Sequence, residues 1–399
     1  MDPEGNRPKE ELLLAAEQLL ASAPPSAISG RTIAQTAGVN YGLLHRYFGT
    51  KEQCIHEAFD RLVIAFEADA FDGSDSTLAT GELRHHPHFW RALTHIALDT
   101  ASFGAYQPRT PVIERHRDAV AVNLRGRSQV VVDTHVALSV SVRLGVLVYW
   151  PTLSKALGLT EDDVDVCHEV SHSVEQQMDN GEGLFDPAGV EPRPIERRAV
   201  ETLPDPPIGH GREIVEQRLV LAGARLLESQ SPTAISGREL AAAAEVNYGS
   251  IHHYFGSADE VLRQSFQLHR SMFYEVERSG RRPPDYFSVS QHPGYVRAVT
   301  WQALDPKFAT PSGEFPVAVS LIRGLEQNGA HIDARVRSLV LSLMSLQLGW
   351  ALFRPIINTS LQREIRELEP LAAAYLARAA ASVGVADIRR EVTGADSRA

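Results

Sequence analysis

Cysteine is almost missing from the 399-residue chain, which holds only Cys54 and Cys167. A disulfide framework is therefore not expected, and a reducing cytoplasm is the natural compartment. Positive charge is in short supply as well. The formal net charge is −11, which argues against a non-specific binder of polyanions but leaves room for a local basic patch. Long apolar runs are also lacking. The opening MDPEGNRPKEELLL has no signal-peptide core. The most apolar stretch, 136–150, is interrupted by Arg143 and is shorter than the roughly 20 residues that span a bilayer. It reads as a buried helix, and no membrane partner is expected. No phosphate loop, nucleophile elbow or ordered triad occurs, so an enzyme is not expected. Histidine is plentiful at 16, with His85-His86-Pro87-His88 in a row and His168 and His172 four apart. No cysteine or carboxylate set completes a metal site around them, and neither metal nor cofactor is expected.

What is present is a repeat. Residues 25–49 read PSAISGRTIAQTAGVNYGLLHRYFG and residues 232–256 read PTAISGRELAAAAEVNYGSIHHYFG, aligned without a gap at an offset of 207 with 16 identities in 25 positions. Fainter matches continue: His86-Pro87, Arg91 and Ala97-Leu98-Asp99 correspond to His292-Pro293, Arg297 and Ala303-Leu304-Asp305, and Leu144-Gly145 corresponds to Leu348-Gly349. The unit is half the chain, the size of a domain pair rather than of a solenoid repeat. Between the copies, residues 179–211 hold six prolines and no helical period, which predicts an extended linker.

Local signals give each copy an all-α reading. A first helix fits 8–22, with Leu12, Leu13, Ala16, Leu19 and Leu20 as its apolar stripe. Ser29 and Ser236 are caps for a short alanine-rich second helix, and Ser236 with Glu239 forms a capping box. Gly38 supplies a turn of positive φ, whereas Glu245 holds that position in the second copy. Asn40 and Asn247 cap a third helix, and Thr50 and Ser257 open a fourth. Two short helices around a tight turn make a helix-turn-helix. The expected domains are 1–65 and 212–272 as readers, 66–178 and 273–399 as helical regulatory domains, and 179–211 as linker.

These residues resemble the tetracycline-repressor (TetR) family. The resemblance rests on Ile33-Ala34, Ala37-Gly38-Val39, Asn40, Gly42, Leu44-His45, Tyr47-Phe48 and Lys51-Glu52, and on Leu240-Ala241, Ala244-Glu245-Val246, Asn247, Gly249, Ile251-His252 and Tyr254-Phe255. It covers about 45 residues per copy. His45 and His252 depart from it, standing where the family usually has a tyrosine, and Ala258 replaces its lysine. The resemblance implies a transcription regulator that binds double-stranded operator DNA. Family members are mostly homodimers built on a four-helix bundle; here the two copies would form that bundle within one chain, from helices near 127–150, 161–178, 335–353 and 362–381.

By that implication the third helix of each copy reads the major groove. Tyr41, Leu43 and Arg46 are the base-reading candidates in copy one, and Tyr248, Ser250 and His253 in copy two. Gly42 and Gly249 allow close approach to the backbone, and Asn40 and Asn247, at the start of each helix, are counted with the DNA-binding residues. Arg31, His45, Tyr47, Lys51, Arg238, His252 and Tyr254 are candidates for phosphate contact, each with a solvated surface group as the alternative. Residues 1–65 hold six Lys/Arg against eight Asp/Glu, so the electrostatic footprint is modest. Phe89, Trp90, Phe103, Tyr106, Tyr149, Tyr295, Trp301 and Trp350 could line a pocket for a small apolar effector, although an aromatic at helical spacing is more often plain core. A rival reading stays open at this point: a ligand-binding or protein-interaction module whose readers have decayed.

Overall fold

Residues 3–70, 78–99, 110–195, 202–278, 286–308, 315–327 and 329–382 are described by the computed structural model, and among them every regular element is helical. Copy one contributes α1 (Pro3–Leu20), α2 (Gly30–Thr36), α3 (Tyr41–Phe48), α4 (Lys51–Ala70), α5 (Thr80–His85), α6 (Pro87–Leu98), α7 (Pro111–Asn123), α8 (Gln129–Ala156) and α9 (Val164–Asn180). Copy two contributes α10 (Arg212–Leu227), α11 (Gly237–Ala243), α12 (Gly249–Phe255), α13 (Ala258–Arg278), α14 (Pro293–Leu304), α15 (Pro316–Gln327), α16 (Ala334–Leu361) and α17 (Glu369–Ser382). The all-α tandem architecture is the one the repeat predicts.

The caps are where side-chain chemistry places them. Ser29 Oγ accepts the Thr32 amide at 3.0 Å, and Ser236 Oγ accepts that of Glu239 at 3.2 Å. The box expected at Ser236 is only half made, because the Glu239 carboxylate accepts from Gln230 Nε2 at 2.8 Å. Thr50 and Ser257 accept the amides of Gln53 and Glu260. The turn after α2 passes through Gly38 at φ 68°, and Glu245 adopts φ 53° at the same point of copy two. That left-handed conformation costs a side chain about 1 kcal/mol. The first helix begins five residues before the expected start, with Pro3 in its first turn and Pro8 inside it.

The chain divides into two compact units, residues 1–126 with 352–365 and residues 127–351 with 366–399. In the first, α1 to α4 close around Leu12, Ala16, Leu20, Ile33, Leu44 and Phe59, all buried. Cys54 is buried there too, and desolvation pushes its thiol up to about 12. One face of α6 holds the corner between α1 and α2. Arg91 Nε donates to Ala21 O at 3.0 Å, His95 Nδ1 to Leu20 O at 2.8 Å, and Asp99 Oδ2 accepts the Ser26 amide at 2.7 Å. Arg91 and His95 satisfy carbonyls that the end of α1 leaves open, and Asp99 satisfies an amide of the turn that follows. A Thr110–Ser360 hydroxyl pair joins the segment 352–365 to this unit.

In the second unit α8 lies against α9, α14 and α17. It meets α16 at small residues: any Cβ on Gly145 would overlap the Ser345 carbonyl, and any Cβ on Gly349 would overlap that of Ser141. The two glycines lie 204 residues apart, and so do the two serines, so the crossing is the same in each direction. Arg143, which broke the apolar run in sequence, is buried on α8. Its Nη2 donates to Asp179 Oδ2 at 2.5 Å and its Nε lies 3.3 Å from Glu175 Oε2. Both α8 and α16 are long and apolar enough to cross a membrane, but 89% and 72% of their most apolar windows are buried in the protein. They are core helices, as 136–150 suggested.

The linker departs from expectation in its first part. A 3-10 turn at Gly183–Phe185 buries Phe185 against Tyr375. Arg378 Nη1 donates to Asp186 O at 2.8 Å, and the Arg193 amide to Pro370 O at 2.8 Å. Three residues are too short for a helical period to be read, so the docking of this stretch on α17 leaves no trace in the pattern.

Candidate nucleic-acid interface

Each third helix presents one buried and one open face. Leu44 and Ile251 are fully buried and anchor the helices, and Phe48 is nearly so; Phe255 is only half-buried. Asn40 Oδ1 accepts the Gly42 amide at 2.8 Å and Asn247 Oδ1 accepts that of Gly249 at 2.9 Å. This asparagine chemistry fixes the start of each helix. In copy two the helix itself begins at Gly249, with Tyr248 as its flanking residue. Gly42 and Gly249 are exposed, so the backbone at the start of each helix is open to solvent.

Tyr41 and Tyr248 keep 40% and 46% of their surface. High exposure of a large ring next to exposed His45, Arg46, His252 and His253 makes an open polar face on each helix. Arg46 forms no hydrogen bond or ion pair among the described residues, which leaves its guanidinium fork available. Its counterpart His253 lies edge-on to Tyr254, with ring centroids 4.6 Å apart. Leu43 and Ser250 are half-buried beside them. Arg31 and Arg238 stand exposed at the second positions of α2 and α11. Tyr47 and Tyr254 are half-buried, and the Arg212 guanidinium lies 5.9 Å over the Tyr254 ring.

Lys51 has a second occupation. Its ammonium donates to Ile28 O at 2.8 Å and Pro25 O at 3.3 Å, tying the start of α4 to the turn before α2. Ala258 takes its place in copy two and packs beside Gly237.

Sequence patterns missed two glycines. Gly30 and Gly237 open the second helices, and a Cβ on either would stand 2.9 Å from Cε2 of Tyr41 or Tyr248. They seat the tyrosine rings of the readers. The only signal was that the Ser-Gly-Arg triplet is identical in both copies.

The second unit also contains an apolar cavity. Phe273 at the end of α13, Tyr295 on α14, Leu321 on α15, Gln347 on α16, and Leu376 and Ala380 on α17 are among its walls. Of the aromatics that the sequence offers for a pocket, Tyr295 lines it, stacked 4.0 Å from Phe273. Trp350 is sealed against Phe287, Trp301 is buried, and the Tyr149 hydroxyl is 2.7 Å from that of Thr300. In the first unit Phe89 stacks on Phe66 at 4.7 Å and Trp90 is half-buried. Phe103 and Tyr106 lie outside the described residues. No cluster of metal-ligating side chains occurs among the described residues.

Residues 12–58 and 219–264 each match the pattern of bacterial regulatory proteins of the tetR family. Over 150 residues, 38% of the chain, it is 31% identical to the HTH-type transcriptional repressor Rv3405c of Mycobacterium tuberculosis, covering 77% of that protein. The HTH-type transcriptional regulator Mb3439c of Mycobacterium bovis matches to the same extent. With both reading domains matched and a relative covered over most of its length, the chain belongs to the tetR family of bacterial regulatory proteins and carries two of its units in tandem.

Proposed function

We propose that the chain is a single-polypeptide repressor whose two copies act as a pseudo-dimer and read the two halves of one imperfect palindrome. The observation that carries this is the duplicated third helix: its start is held by an asparagine side chain in each copy, and it is buried on one face and open on the other. The reciprocal Gly–Ser crossing of α8 and α16 supports pairing of the copies within one chain, in place of the two identical chains of a homodimer. The readers differ at Leu43 against Ser250 and at Arg46 against His253. Arginine suits bidentate contact with guanine, and leucine offers only apolar contact, as to a thymine methyl. Half-sites about 34–36 Å apart would suit the pair.

The cavity of the second unit is the proposed seat of a small apolar effector. Its wall includes Phe273, on the helix that begins directly after the second reader. A ligand that favours one position of α13 would shift the population of readers away from the DNA-bound state. Copy one differs at the point equivalent to Gln347, 204 residues earlier, where the buried Arg143 binds Asp179 and Glu175.

The test is an anisotropy titration of the full chain against a duplex enriched from a random library, at several salt concentrations. Affinity that falls with salt, and falls further in Arg46→Ala and Tyr41→Ala, supports the reading. A chain that enriches no duplex is instead the ligand-binding or interaction module.

A further inference from the structure

In both copies the exposed tyrosine of the reading helix is hydrogen-bonded to the histidine one turn later. Tyr41 OH is 2.9 Å from His45 Nε2, and His45 Nδ1 is 2.9 Å from Gly49 O. In copy two Tyr248 OH is 3.3 Å from His252 Nε2, and His252 Nδ1 is 3.2 Å from Gly256 O. The rings meet edge to face, with centroids 4.9 and 5.3 Å apart.

The direction of these bonds follows from what each atom can do. A carbonyl only accepts, so Nδ1 carries the hydrogen. In the neutral ring Nε2 is then a bare lone pair, and the bond to it uses the one proton of the tyrosine hydroxyl. A tyrosine so engaged turns only lone pairs outward, and a phosphate oxygen, itself an acceptor, gains nothing there. Protonation of the ring reverses the bond. Nε2–H now donates to the phenol oxygen, and the phenol proton is free to point at a phosphate. The imidazolium charge adds attraction to the same anion.

We infer that Tyr41 and Tyr248, base-reading candidates by the family resemblance, are instead proton-gated phosphate contacts, so that DNA binding takes up protons at His45 and His252, the residues that position them. This inference rests on the reading of α3 and α12 as DNA readers. Other charged groups come from every helix around them. In copy one α2 brings Arg31, α4 brings Lys51 and Glu52, and α1 brings Lys9, which pairs with Glu57. In copy two α11 brings Arg238 and Glu239. From α13 come Asp259, paired with Lys307, and Glu260, paired with Arg263. From α10 come Arg212, paired with Glu216, and Arg218, paired with Glu245. Arg46 and His253 are neighbours on the readers themselves. None of these groups bonds to His45 or His252 among the described residues.

The sign is fixed by linkage. If bound phosphate raises a histidine's proton affinity, that part of the binding is fully present below the free-state pKa and is lost as pH rises through the bound-state pKa. A one-unit rise on binding is a tenfold change in affinity per pair.

The experiment measures affinity of the full chain for its enriched duplex by anisotropy from pH 5.5 to 8.5 at fixed salt, with circular dichroism at each pH. Wild type should weaken by up to about a hundredfold with rising pH. His45→Gln or His252→Gln should remove about half of that on a logarithmic scale, and the double variant should be flat. Tyr41→Phe and Tyr248→Phe, which keep the ring and its packing, should act likewise. A wild-type affinity that is salt-dependent but indifferent to pH overturns the gating while leaving the DNA reading intact. So does a double variant that keeps the full pH slope. Failure to bind any duplex at any pH overturns the DNA reading on which the gating depends.

Discussion

His95 illustrates how a single buried group ties α6 to the end of α1 at a cost in acid. Burial strips water from its imidazolium and pulls its pKa down to about 4, opposed in part by the bond to Leu20 and helped by the nearby Arg91. The unfolded chain takes up the proton first, so the stability held above about pH 6.5 is lost as pH falls toward 4. That difference is worth about 3 kcal/mol. His95→Gln keeps an N–H for Leu20 and should flatten the acid limb of a thermal-melt profile by about one proton. Glu245 is the opposite case, a side chain held at positive φ in the turn before the second reader. Glu245→Gly should gain about 1 kcal/mol in urea unfolding, since its ion pair with Arg218 leaves the carboxylate largely in water. Residue chemistry that acts within four positions was legible in the sequence: Asn40 caps as expected, Asn247 accepts the Gly249 amide although Tyr248 takes the cap position, and Leu44 and Ile251 are core. The seating of Tyr41 on Gly30 was not, because it depends on how α2 crosses α3. Nor was the hold of Lys51 on Pro25 and Ile28, which spans more than 20 residues.

Helix starts in the two helix-turn-helix segments follow from punctuation and could be read directly, whereas the helices over 80–123 and 293–327 were legible only as helical, without spans. The long core helices α8 and α16 sit where the apolar runs are. What period cannot supply is the partner of each face. The crossing of α8 and α16 is set by Gly145, Gly349, Ser141 and Ser345, and the two serine hydroxyls are buried without a hydrogen-bond partner among the described residues. Their small size, not their polarity, is what the crossing uses. Ser141→Ala should therefore be neutral or stabilising by up to about 1 kcal/mol. Gly349→Leu must force the helices apart and should cost about 3 kcal/mol in the urea unfolding of the full chain. Equal, small effects from the two substitutions would contradict this account of the contact. The anchoring of the linker through Phe185 belongs to this scale as well. Its turn is one 3-10 winding, too brief to carry a period, so only packing reveals it.

Duplication gives the whole molecule a freedom that two identical chains lack: two tetR-family units that diverge independently. The third helices already differ at two positions proposed to face bases, Leu43 against Ser250 and Arg46 against His253. The interiors differ too, with an ion cluster at Arg143 and an amide, Gln347, 204 residues later in the wall of an apolar cavity. Both contrasts are written in the aligned halves, but only the fold gives the second its meaning. The central claim is that both readers work together on unlike half-sites. Selection of duplexes from a random library by the full chain tests it most directly. The account predicts one enriched motif with two half-sites about one helical turn apart, related by an imperfect two-fold. A perfect palindrome, or a lone half-site, would contradict it.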